Sequence, residues 1–269
     1  MSTRHPSRPV VIKVGGTTLE AQRSTPDLWA ALATMHAQRG VVLVHGGGKA
    51  VDAHLARLGF TTERREGIRV TPPEQVEEIA AVLAGRVNKA LVGALARAGA
   101  RGVGLCLGDG DCVPTRVATH YPFDPGRVGE VVNDASRGSD LLRVLLGAGY
   151  LPVLCSIGLD ERGEFLNVNA DDAAAGVAAR LGAEALVLCT DVPGILDGSK
   201  RVVPEADGAC IERMIRSGEI TGGMIPKVRA AQDAARLVGA PVVILSGNDP
   251  GALAAWAGGA SVGTRVLAT

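Results

Sequence analysis

Two lysines of this 269-residue sequence occupy positions that are unfavourable for a cation. Lys13 lies inside "VIKVGG", amid valine and isoleucine, where an ammonium group is costly to bury unless an anion meets it. Lys227 lies in "GGMIPKV", in the predicted first turn of a helix, where the helix dipole disfavours a positive charge. Both positions therefore predict a nearby anion. For Lys13, an edge-strand lysine that points to solvent is an equally good interpretation.

The stretch "VHGGGKAVD" places three glycines, Gly46 to Gly48, between an apolar run and an amphipathic helix. Glycine N–H groups are not obstructed by a Cβ atom, and the N-terminus of a helix is electropositive, so this junction predicts an anion site. A tight turn explains one glycine easily but three poorly. A Walker A loop is excluded, because Lys49 is followed by Ala50 and not by serine or threonine.

Two further junctions offer side chains that bind carboxylates or phosphates. Arg69 in "GIRVT" could clamp a carboxylate through two parallel hydrogen bonds, although a surface arginine is more often solvated. In "NVNADD", Asn167 and Asn169 precede an alanine-rich helix. Asp171 or Asp172 could simply cap that helix, whereas the paired asparagines are harder to explain as structure.

The stretch "TDVPGILDG" ends an apolar run with Thr190 and Asp191 and then turns, which suits recognition of a ribose or phosphate but equally an Asx turn. His45 is interpreted as a structural hydrogen-bonding residue and not as a catalytic base. The sequence contains no G-x-G-x-x-G, no zinc-ligand spacing and no G-x-S-x-G. Rossmann dehydrogenases, common zinc enzymes and α/β-hydrolases are therefore excluded.

Composition favours a cytoplasmic globular enzyme. The formal net charge is zero and there is no basic block, which gives little support to a nucleic-acid partner. No apolar run approaches the roughly 20 residues that span a bilayer, and the start lacks the apolar stretch of a signal peptide. The five cysteines form no C-x-x-C pair, as is typical of a reducing compartment.

The elements that must position these groups alternate between strands and helices. Short β-branched runs such as "VVLVH" and "ALVLCT" predict buried parallel strands. Helices are predicted over Pro26–Gln38 (with Thr25 as N-cap), Lys49–Leu58, Pro73 to about Arg97, Asp140–Leu146, Asp171–Leu181, Ile211–Arg216, Pro226–Val238 and Pro250–Trp256. Thr61–Val70 and Gly108–Val132 are interpreted as hairpin excursions that could act as lids. The alternation predicts a three-layer α/β/α sandwich with a mainly parallel open sheet and two lobes, residues 1–181 and 182–269.

Taken in order, the junctions resemble the amino acid kinase family from Val10 to Leu267. The resemblance rests on "KVGG", "HGGGKAVD", "GIRVT", "LGDGD", "LPVLCSIG", "NVNAD", "TDVPGILDG", "GGMIPKV" and "GTRVL". Glycine turns are shared with carbamate, aspartate, glutamate and uridylate kinases. "GIRVT" with "NVNAD" and "GGMIPKV" resembles the members whose acceptor is N-acetyl-L-glutamate. That resemblance implies transfer of the ATP γ-phosphoryl group to the side-chain carboxylate of this acceptor, a reaction of arginine biosynthesis.

The resemblance also implies roles for individual residues. Lys13 and Lys227 would stabilise the transferring phosphoryl group, and Asp171 would hold both lysines. Gly16 and Gly48 would donate backbone N–H groups to the same oxygens. The acceptor would be held by Gly47, Gly48, Arg69 and Asn167. The ATP site would be lined by Thr190, Asp191, Val192, Pro193, Gly194, Ile195, Leu196, Glu219, Ile220 and Thr221. Mg²⁺ would be held mainly by the ATP phosphates, with no assigned protein ligand.

The family resemblance further implies how the chain is organised. Residues 1–181 would bind the acceptor and form the subunit contact, through a helix within Thr71–Arg97, and residues 182–269 would bind ATP. Because only about eight residues precede the first strand, and these include Pro6 and Pro9, we expect a homodimer insensitive to arginine and not an arginine-sensitive hexamer.

Three alternatives remain open at this point. One is a sibling kinase acting on another carboxylate, such as glutamate or carrier-linked aminoadipate, although the aminoadipate relatives usually differ around the glycine loop. The second is a catalytically silent nucleotide or amino-acid sensor on the same fold. The third is an unrelated α/β nucleotide-binding protein.

Overall fold

A mostly parallel sheet of eight strands forms the centre of the protein in the computed structural model, which describes residues 8–15, 19, 26–133 and 139–268. Gly16 and Thr25, predicted above as a phosphoryl-binding glycine and a helix cap, lie outside the described residues. The strands in chain order are β1 (Val10–Val14), β2 (Val41–His45), β3 (Arg64–Arg65), β4 (Ile68–Arg69), β5 (Gly102–Cys106), β6 (Thr115–Val117), β7 (Val128–Val131), β8 (Leu151–Cys155), β9 (Ile157–Leu159), β10 (Phe165–Val168), β11 (Ala185–Thr190), β12 (Glu205–Ala206), β13 (Val242–Ser246) and β14 (Thr264–Val266).

The order of the strands in this central sheet is β12-β14-β13-β11-β1-β2-β8-β5, and the β13–β14 pair is antiparallel. Strands β11 to β14 therefore occupy one half of the sheet, and β1, β2, β5 and β8 the other. The halves meet where β1 pairs with β11, from Val10 opposite Ala185 to Val14 opposite Cys189. The division into lobes at residues 181 and 182 stays a prediction, because one continuous sheet crosses it.

Helices cover both faces of the sheet. They are α1 (Pro26–Arg39), α2 (Gly48–Arg57), α3 (Pro73–Arg97), α4 (Asp140–Gly147), α5 (Ala170–Leu181), α6 (Gly208–Arg216), α7 (Met224–Val238) and α8 (Pro250–Ala257). Ile12 belongs to a core that contains apolar residues of α1, α3 and α8, whereas Val11 belongs to a second core with α4 to α7. Successive residues of one strand are thus buried on opposite faces, as the continuous apolar runs predict. The predicted three-layer α/β/α sandwich is confirmed.

The predicted helices are all present, and no end is shifted by more than three residues. The largest shift is in α6, which begins at Gly208 because the side chain of Asp207 caps it by accepting a hydrogen bond from the Cys210 N–H at 2.7 Å. One feature of α3 was not predicted. Its middle, Ala81–Val87, is a π-helical segment between the α-helical stretches Pro73–Ala80 and Asn88–Arg97.

Helix α3 is long and apolar enough, by length and composition alone, to cross a membrane. Half of the most apolar 18-residue stretch of this helix is buried inside the protein, however, and Ile79, Leu83, Leu91 and Leu95 pack in the core. Burial of this kind is typical of a core helix.

Two smaller sheets lie at the predicted excursions. Strands β3 and β4 form a two-residue hairpin within Thr61–Val70, and β6 and β7 lie within Gly108–Val132. Strand β7 pairs with β10, placing Val128 opposite Asn167, and β10 leads directly into α5. These excursions therefore bring the predicted acceptor-binding side chains, Arg69 on β4 and Asn167 on β10, to the same end of the molecule.

Candidate active site

The predicted site residues gather at the carboxyl ends of the central strands β1, β2 and β11. Gly15 follows β1, Gly46 follows β2 and Asp191 follows β11. In an open α/β sheet this edge is where ligands bind, because loops and helix N-termini converge there. Two neighbouring cavities lie at this edge. We refer to the one lined by Lys13 and Lys227 as the reaction cavity, and to the one lined by Arg69 and Asn167 as the acceptor cavity.

Lys13 forms an ion pair with Asp171, whose Oδ1 lies 2.9 Å from the lysine Nζ. The interpretation of Lys13 as an edge-strand residue is wrong, because β1 has β2 and β11 on either side and only 14% of the lysine side chain is exposed. Asp171 lies in the first turn of α5, where the helix dipole favours a carboxylate. The cap of that helix is Asn169, which accepts hydrogen bonds from the N–H groups of Asp171 and Asp172. The carboxylate of Asp171 is thereby directed to the lysine.

Lys227 forms a second ion pair, with Asp191, whose Oδ1 lies 2.7 Å from its Nζ. The hydrogen bond from Lys227 holds the pKa of Asp191 below its ordinary value. The anion that the sequence predicts beside Lys227 is thus the protein's own aspartate in this structure. Helix α7 begins at Met224, so Lys227 is its fourth residue and lies slightly further from the N-terminus than expected. Each lysine has its own aspartate here, and the role of Asp171 as a bridge between both lysines stays a prediction.

Both ion pairs line the reaction cavity, which has a volume of about 340 Å³. Lys49 and Thr190 line the same cavity. Lys49, which in the sequence only excludes a Walker A loop, was not among the predicted site residues. Its position directly after the glycines, in the first turn of α2, was the signal that could have identified it. The cavity therefore presents three ammonium groups and two carboxylates.

The acceptor cavity, about 170 Å³ in volume, is lined by all the residues predicted to bind the acceptor, Gly47, Gly48, Arg69 and Asn167. It adjoins the reaction cavity, because Gly48 lines one and Lys49 the other. An acceptor in one cavity and a phosphoryl group in the other would therefore meet at the start of α2.

Arg69 is buried, with 7% of its side chain exposed, and its fork is held in place by hydrogen bonds. Nη1 donates to Asp52 Oδ1 at 2.6 Å and Nη2 donates to the Gly48 carbonyl at 3.1 Å. Burial alone would raise the pKa of Asp52, but the hydrogen bonds and charges of Arg69 and Arg64 outweigh it and hold that pKa low. Arg64 also lines the acceptor cavity and was missed in the sequence, where nothing distinguishes it from its neighbour Arg65.

Asn167 donates from Nδ2 to Thr71 Oγ1 at 3.0 Å, which links β10 to the start of α3. A side chain at Gly47 would force a neighbour to move, because a Cβ atom there would lie 2.8 Å from Leu83 Cδ2 in the π-helical segment. This close approach of helix and loop is a steric reason for one of the three glycines.

Of the ten residues predicted to line the ATP site, Gly194, Ile195 and Ile220 are buried and the other seven are partly or fully exposed. Thr190 and Asp191 line the reaction cavity. Ile195 and Ile220 are fully buried in the hydrophobic core, so their side chains support the loops and do not face a ligand. The two loops, Val192–Leu196 and Glu219–Thr221, are joined through the segment that follows the first, since Glu219 accepts a hydrogen bond from the Gly198 N–H at 3.1 Å.

The arrangement suits transfer of a phosphoryl group. Such a transfer depends on positioning and on cations around spreading negative charge, and it needs no covalent nucleophile. His45 is fully buried, and burial lowers the pKa of its imidazole to about 4, so it is neutral at pH 7. Within residues 8–15, 26–133 and 139–268, no group of three or more metal-binding side chains is brought together.

Comparison with known proteins also indicates a kinase. A family model described as the amino acid kinase family matches residues 8–246. The chain is 43% identical over 262 residues to the acetylglutamate kinase of Serratia proteamaculans (strain 568), a match that covers 97% of this chain and 99% of that protein. It is 42% identical over 264 residues to the acetylglutamate kinase of Proteus mirabilis (strain HI4320), with the same coverage.

Solved structures share the fold. The structure of smu.665 from Streptococcus mutans UA159 has a TM-score of 0.79 at 26% identity and covers 98% of this chain and 100% of that chain. The N-acetylglutamate synthase of Neisseria gonorrhoeae, complexed with coenzyme A and N-acetyl-glutamate, has a TM-score of 0.80 at 24% identity, and 60% of that chain is covered. The carbamate kinase of Giardia lamblia bound to AMP-PNP has a TM-score of 0.64 at 20% identity and is covered to 99%.

Proposed function

This chain belongs to the amino acid kinase family, and from that premise we propose that it transfers the γ-phosphoryl group of ATP to the side-chain carboxylate of N-acetyl-L-glutamate. The observation that carries the proposal is the pair of adjoining cavities, one with Lys13, Lys227 and Asp171 and the other with Arg69. The choice of acceptor is supported by full-length relatives named acetylglutamate kinase that are 43% identical.

The reaction forms one bond and breaks one. An acceptor carboxylate oxygen attacks the γ-phosphorus, the bond from that phosphorus to the β-phosphate oxygen breaks, and ADP leaves with the electron pair. The acceptor carboxylate is ionised at pH 7, since its ordinary pKa is about 4.3, so no general base is required. Lys13 and Lys227 stabilise the negative charge that spreads over the transferring oxygens, and Asp171 orients Lys13. The N–H group of Gly48 would add a further donor.

The acceptor is held by the second cavity. Arg69 meets the α-carboxylate of the acceptor through its guanidinium fork, which Asp52 and the Gly48 carbonyl already hold in position. Asn167 and the glycine N–H groups bind the remaining polar groups of the acceptor. The reacting carboxylate then extends past Gly48 towards the reaction cavity.

ATP lies mainly over the half of the sheet that contains β11, between the loops Thr190–Leu196 and Glu219–Thr221. Mg²⁺ accompanies it and, when bound, neutralises phosphate charge. The site residues fit an ion that is held chiefly by the phosphates, because Asp171 and Asp191 are each paired with a lysine. We assign Mg²⁺ no protein ligand.

We also propose a cytoplasmic homodimer in which α3 forms the subunit contact. The partly or fully exposed positions of α3 include small residues, among them Ala81, Ala84, Gly93 and Ala96, beside charged residues such as Arg86 and Lys89. Small side chains of this kind allow close approach of a second helix, and partly exposed apolar surface marks interaction sites.

The test is an acceptor panel in which hydroxylamine traps any acyl phosphate as a hydroxamate. We expect N-acetyl-L-glutamate to be preferred over glutamate and aminoadipate derivatives. Lys13→Ala and Lys227→Ala should each lower kcat by two decades or more, which corresponds to about 3 kcal/mol of transition-state stabilisation. Arg236→Ala, which removes an exposed cation from the same helix as Lys227, is the matched control and should leave kcat unchanged.

Each rival function has its own outcome in this experiment. A different preferred acceptor indicates a sibling kinase, and absence of ATP turnover with every acceptor indicates a sensor. A nucleotide-binding protein of another kind would show weaker ATP binding in Lys227→Ala without a disproportionate loss of turnover.

A further inference from the structure

A chain of hydrogen bonds runs from α3 to the glycine loop behind the acceptor cavity. Lys89 Nζ donates to Asn88 Oδ1 at 3.3 Å. Asn88 Nδ2 lies 3.0 Å from His45 Nε2, and His45 Nδ1 lies 2.8 Å from the Gly46 carbonyl oxygen. Asn88 and His45 are almost completely buried, and the function described above uses neither of them.

The partners of Asn88 determine which way its amide points. Lys89 Nζ can only donate, so it must face the amide oxygen. The amide nitrogen also lies 2.9 Å from the carbonyl oxygen of Val153, which can only accept. Both contacts require the same orientation, with Nδ2 directed to the strands β2 and β8.

The orientation of that amide determines the tautomer of His45. Since Asn88 Nδ2 carries hydrogens, His45 Nε2 must accept, and the ring proton of the neutral imidazole is therefore on Nδ1. Nδ1–H then donates to the Gly46 carbonyl. Because burial lowers the pKa of His45 to about 4, the same tautomer persists throughout the neutral range.

The bond to Gly46 determines the direction of the next N–H group. The peptide between Gly46 and Gly47 is planar and trans, so its C=O and N–H point in opposite directions. With the carbonyl held towards the buried imidazole, the N–H of Gly47 points to the other side of the loop, where Gly46 to Gly48 line the acceptor cavity.

We propose that His45 and Asn88 are positioning residues that hold the Gly46–Gly47 peptide with the Gly47 N–H aimed at the bound acceptor. The inference rests on the proposed function, because it is the acceptor that receives this hydrogen bond. A peptide between two glycines has little intrinsic preference for one orientation. The imidazole supplies that preference before the ligand arrives.

The surroundings of Asn88 are built to keep the amide in place. A Cβ atom on Gly104 of β5 would overlap Asn88 Oδ1 and come within 2.6 Å of Lys89 Nζ. Lys89 Nζ also donates to the Gly104 carbonyl at 3.2 Å, so the ammonium group is held by two acceptors. The absence of a side chain at Gly104 thus leaves space for the hydrogen-bond chain.

The test compares two substitutions of one residue. In His45→Asn the side-chain amide can place its N–H near the original Nδ1 and still donate to Gly46. In His45→Leu a side chain of similar volume has no donor. Both variants remove the acceptor of Asn88 Nδ2, so they differ chiefly in the bond to Gly46. We expect His45→Leu to raise the KM for N-acetyl-L-glutamate about tenfold, the value of one buried hydrogen bond, and His45→Asn to stay within about threefold of the unsubstituted protein. The KM for ATP should change in neither.

A purely structural role predicts a different pattern, in which both variants lose stability and their acceptor KM values are equal. Equal values in a protein that still turns over acceptor overturn the inference and leave the proposed function intact, whereas absence of turnover in the unsubstituted protein contradicts the function itself. The tautomer is tested without any turnover by ¹⁵N NMR of the five histidines in the unsubstituted protein, with His45→Asn used for assignment. A proton on Nε2 of His45 at pH 7 would overturn the inference even if His45→Leu did not fold.

Discussion

At the scale of single residues, Lys13 and Lys227 are each paired with an aspartate of their own. The pair of Lys13 and Asp171 is the more buried of the two, and removing one partner of such a pair leaves an uncompensated charge. The pair of Lys227 and Asp191 is exposed, so water and salt weaken it. Phosphate oxygens can therefore compete with Asp191 for Lys227 more easily than with Asp171 for Lys13.

Arg69 gives a prediction about the fork of the guanidinium. We expect Arg69→Lys to raise the KM for N-acetyl-L-glutamate at least about tenfold, because lysine keeps the charge but cannot form two parallel bonds to a carboxylate. Steady-state kinetics with varied acceptor and saturating ATP measures this change.

The matched control is Arg65→Lys on the same hairpin, since Arg65 is exposed and its contacts with Glu63 and the ring of Phe123 lie at the surface. It should leave both KM values unchanged. Equal effects of the two substitutions would show that the hairpin, and not the Arg69 fork, determines acceptor binding.

His45 gives a prediction about pH. Burial lowers the pKa of His45 from 6.5 to about 4, so between these values the unfolded chain binds a proton that the folded protein does not. The free energy of unfolding therefore falls as the pH falls through this window, by about 2 kcal/mol between pH 7 and pH 5 from this residue. Urea unfolding at both pH values measures the loss.

Asp172 acts in the opposite direction. Although solvent reaches its side chain, partial burial and the charge of Asp171 raise the pKa of Asp172 to about 6, so its contribution to stability grows as the pH falls through that value. Both the unsubstituted protein and His45→Asn contain Asp172. Its contribution therefore cancels when the pH dependence of the free energy of unfolding of one protein is subtracted from that of the other. An identical dependence on pH in the two proteins would contradict the assignment to His45.

The sequence predicts which residue types form the site, but not which of them pair. Lys13, Arg69, Asn167 and Lys227 are recognisable because their local surroundings are unusual for their side chains. The partner of Lys227 is Asp191, 36 positions away, and the contact exists only because β11 and the start of α7 meet in the folded protein. Periodicity and local composition contain no information on contacts between residues so far apart in the sequence.

At the scale of elements, helices and strands follow the apolar pattern closely, whereas the π-helical segment does not. A π turn adds one residue without changing which residue types are apolar, so periodicity cannot reveal it. The consequence is local. The segment brings Leu83 and Val87 against Gly47, and a Cβ there would lie 2.8 Å and 3.3 Å from their side chains.

The contact between Gly47 and Leu83 gives a prediction that a second substitution should compensate for the first. Gly47→Ala should raise the acceptor KM about tenfold or more, because the new methyl group must displace either the loop or Leu83. Adding Leu83→Val removes the Cδ2 atom in question, so the double variant should recover much of the loss. Kinetics of both single variants and the double variant give the coupling. Strictly additive effects would mean that the methyl group acts through another contact.

At the scale of the whole molecule, the sequence predicts the three layers but not the order of the strands. Continuous apolar runs require cover on both faces, and this requirement fixes the sandwich. Order depends on contacts between distant segments, such as the pairing of β1 with β11, whose paired residues are 175 positions apart. The antiparallel approach of β14 to β13 likewise has no local signature.

The proposed homodimer gives a prediction on α3. Gly93→Glu should leave the protomer folded, because a Cβ atom there meets only the end of Arg97 at 3.9 Å and the new carboxylate can pair with Arg97 one turn later. Burying that carboxylate against a second α3 is costly, so the dimer should dissociate. Size-exclusion chromatography with light scattering at micromolar protein measures the mass.

The control is Gly147→Glu at the end of α4, where a Cβ meets open space away from the proposed contact. It should keep the mass of the unsubstituted protein. A Gly93→Glu protein with unchanged mass would move the subunit contact to another surface.

The pairing of β1 with β11 also limits how the protein can move during turnover. Lys13 lies on one of these strands and Asp191 directly follows the other, and five consecutive residue pairs align the two strands side by side. Separating the two strands would break backbone hydrogen bonds, so we expect Lys13 and Asp191 to keep their relative positions during turnover. We then expect the β3–β4 hairpin to be the part of the fold that adapts to acceptors of different length. Its replacement would leave the proposed nucleotide-binding loops unchanged.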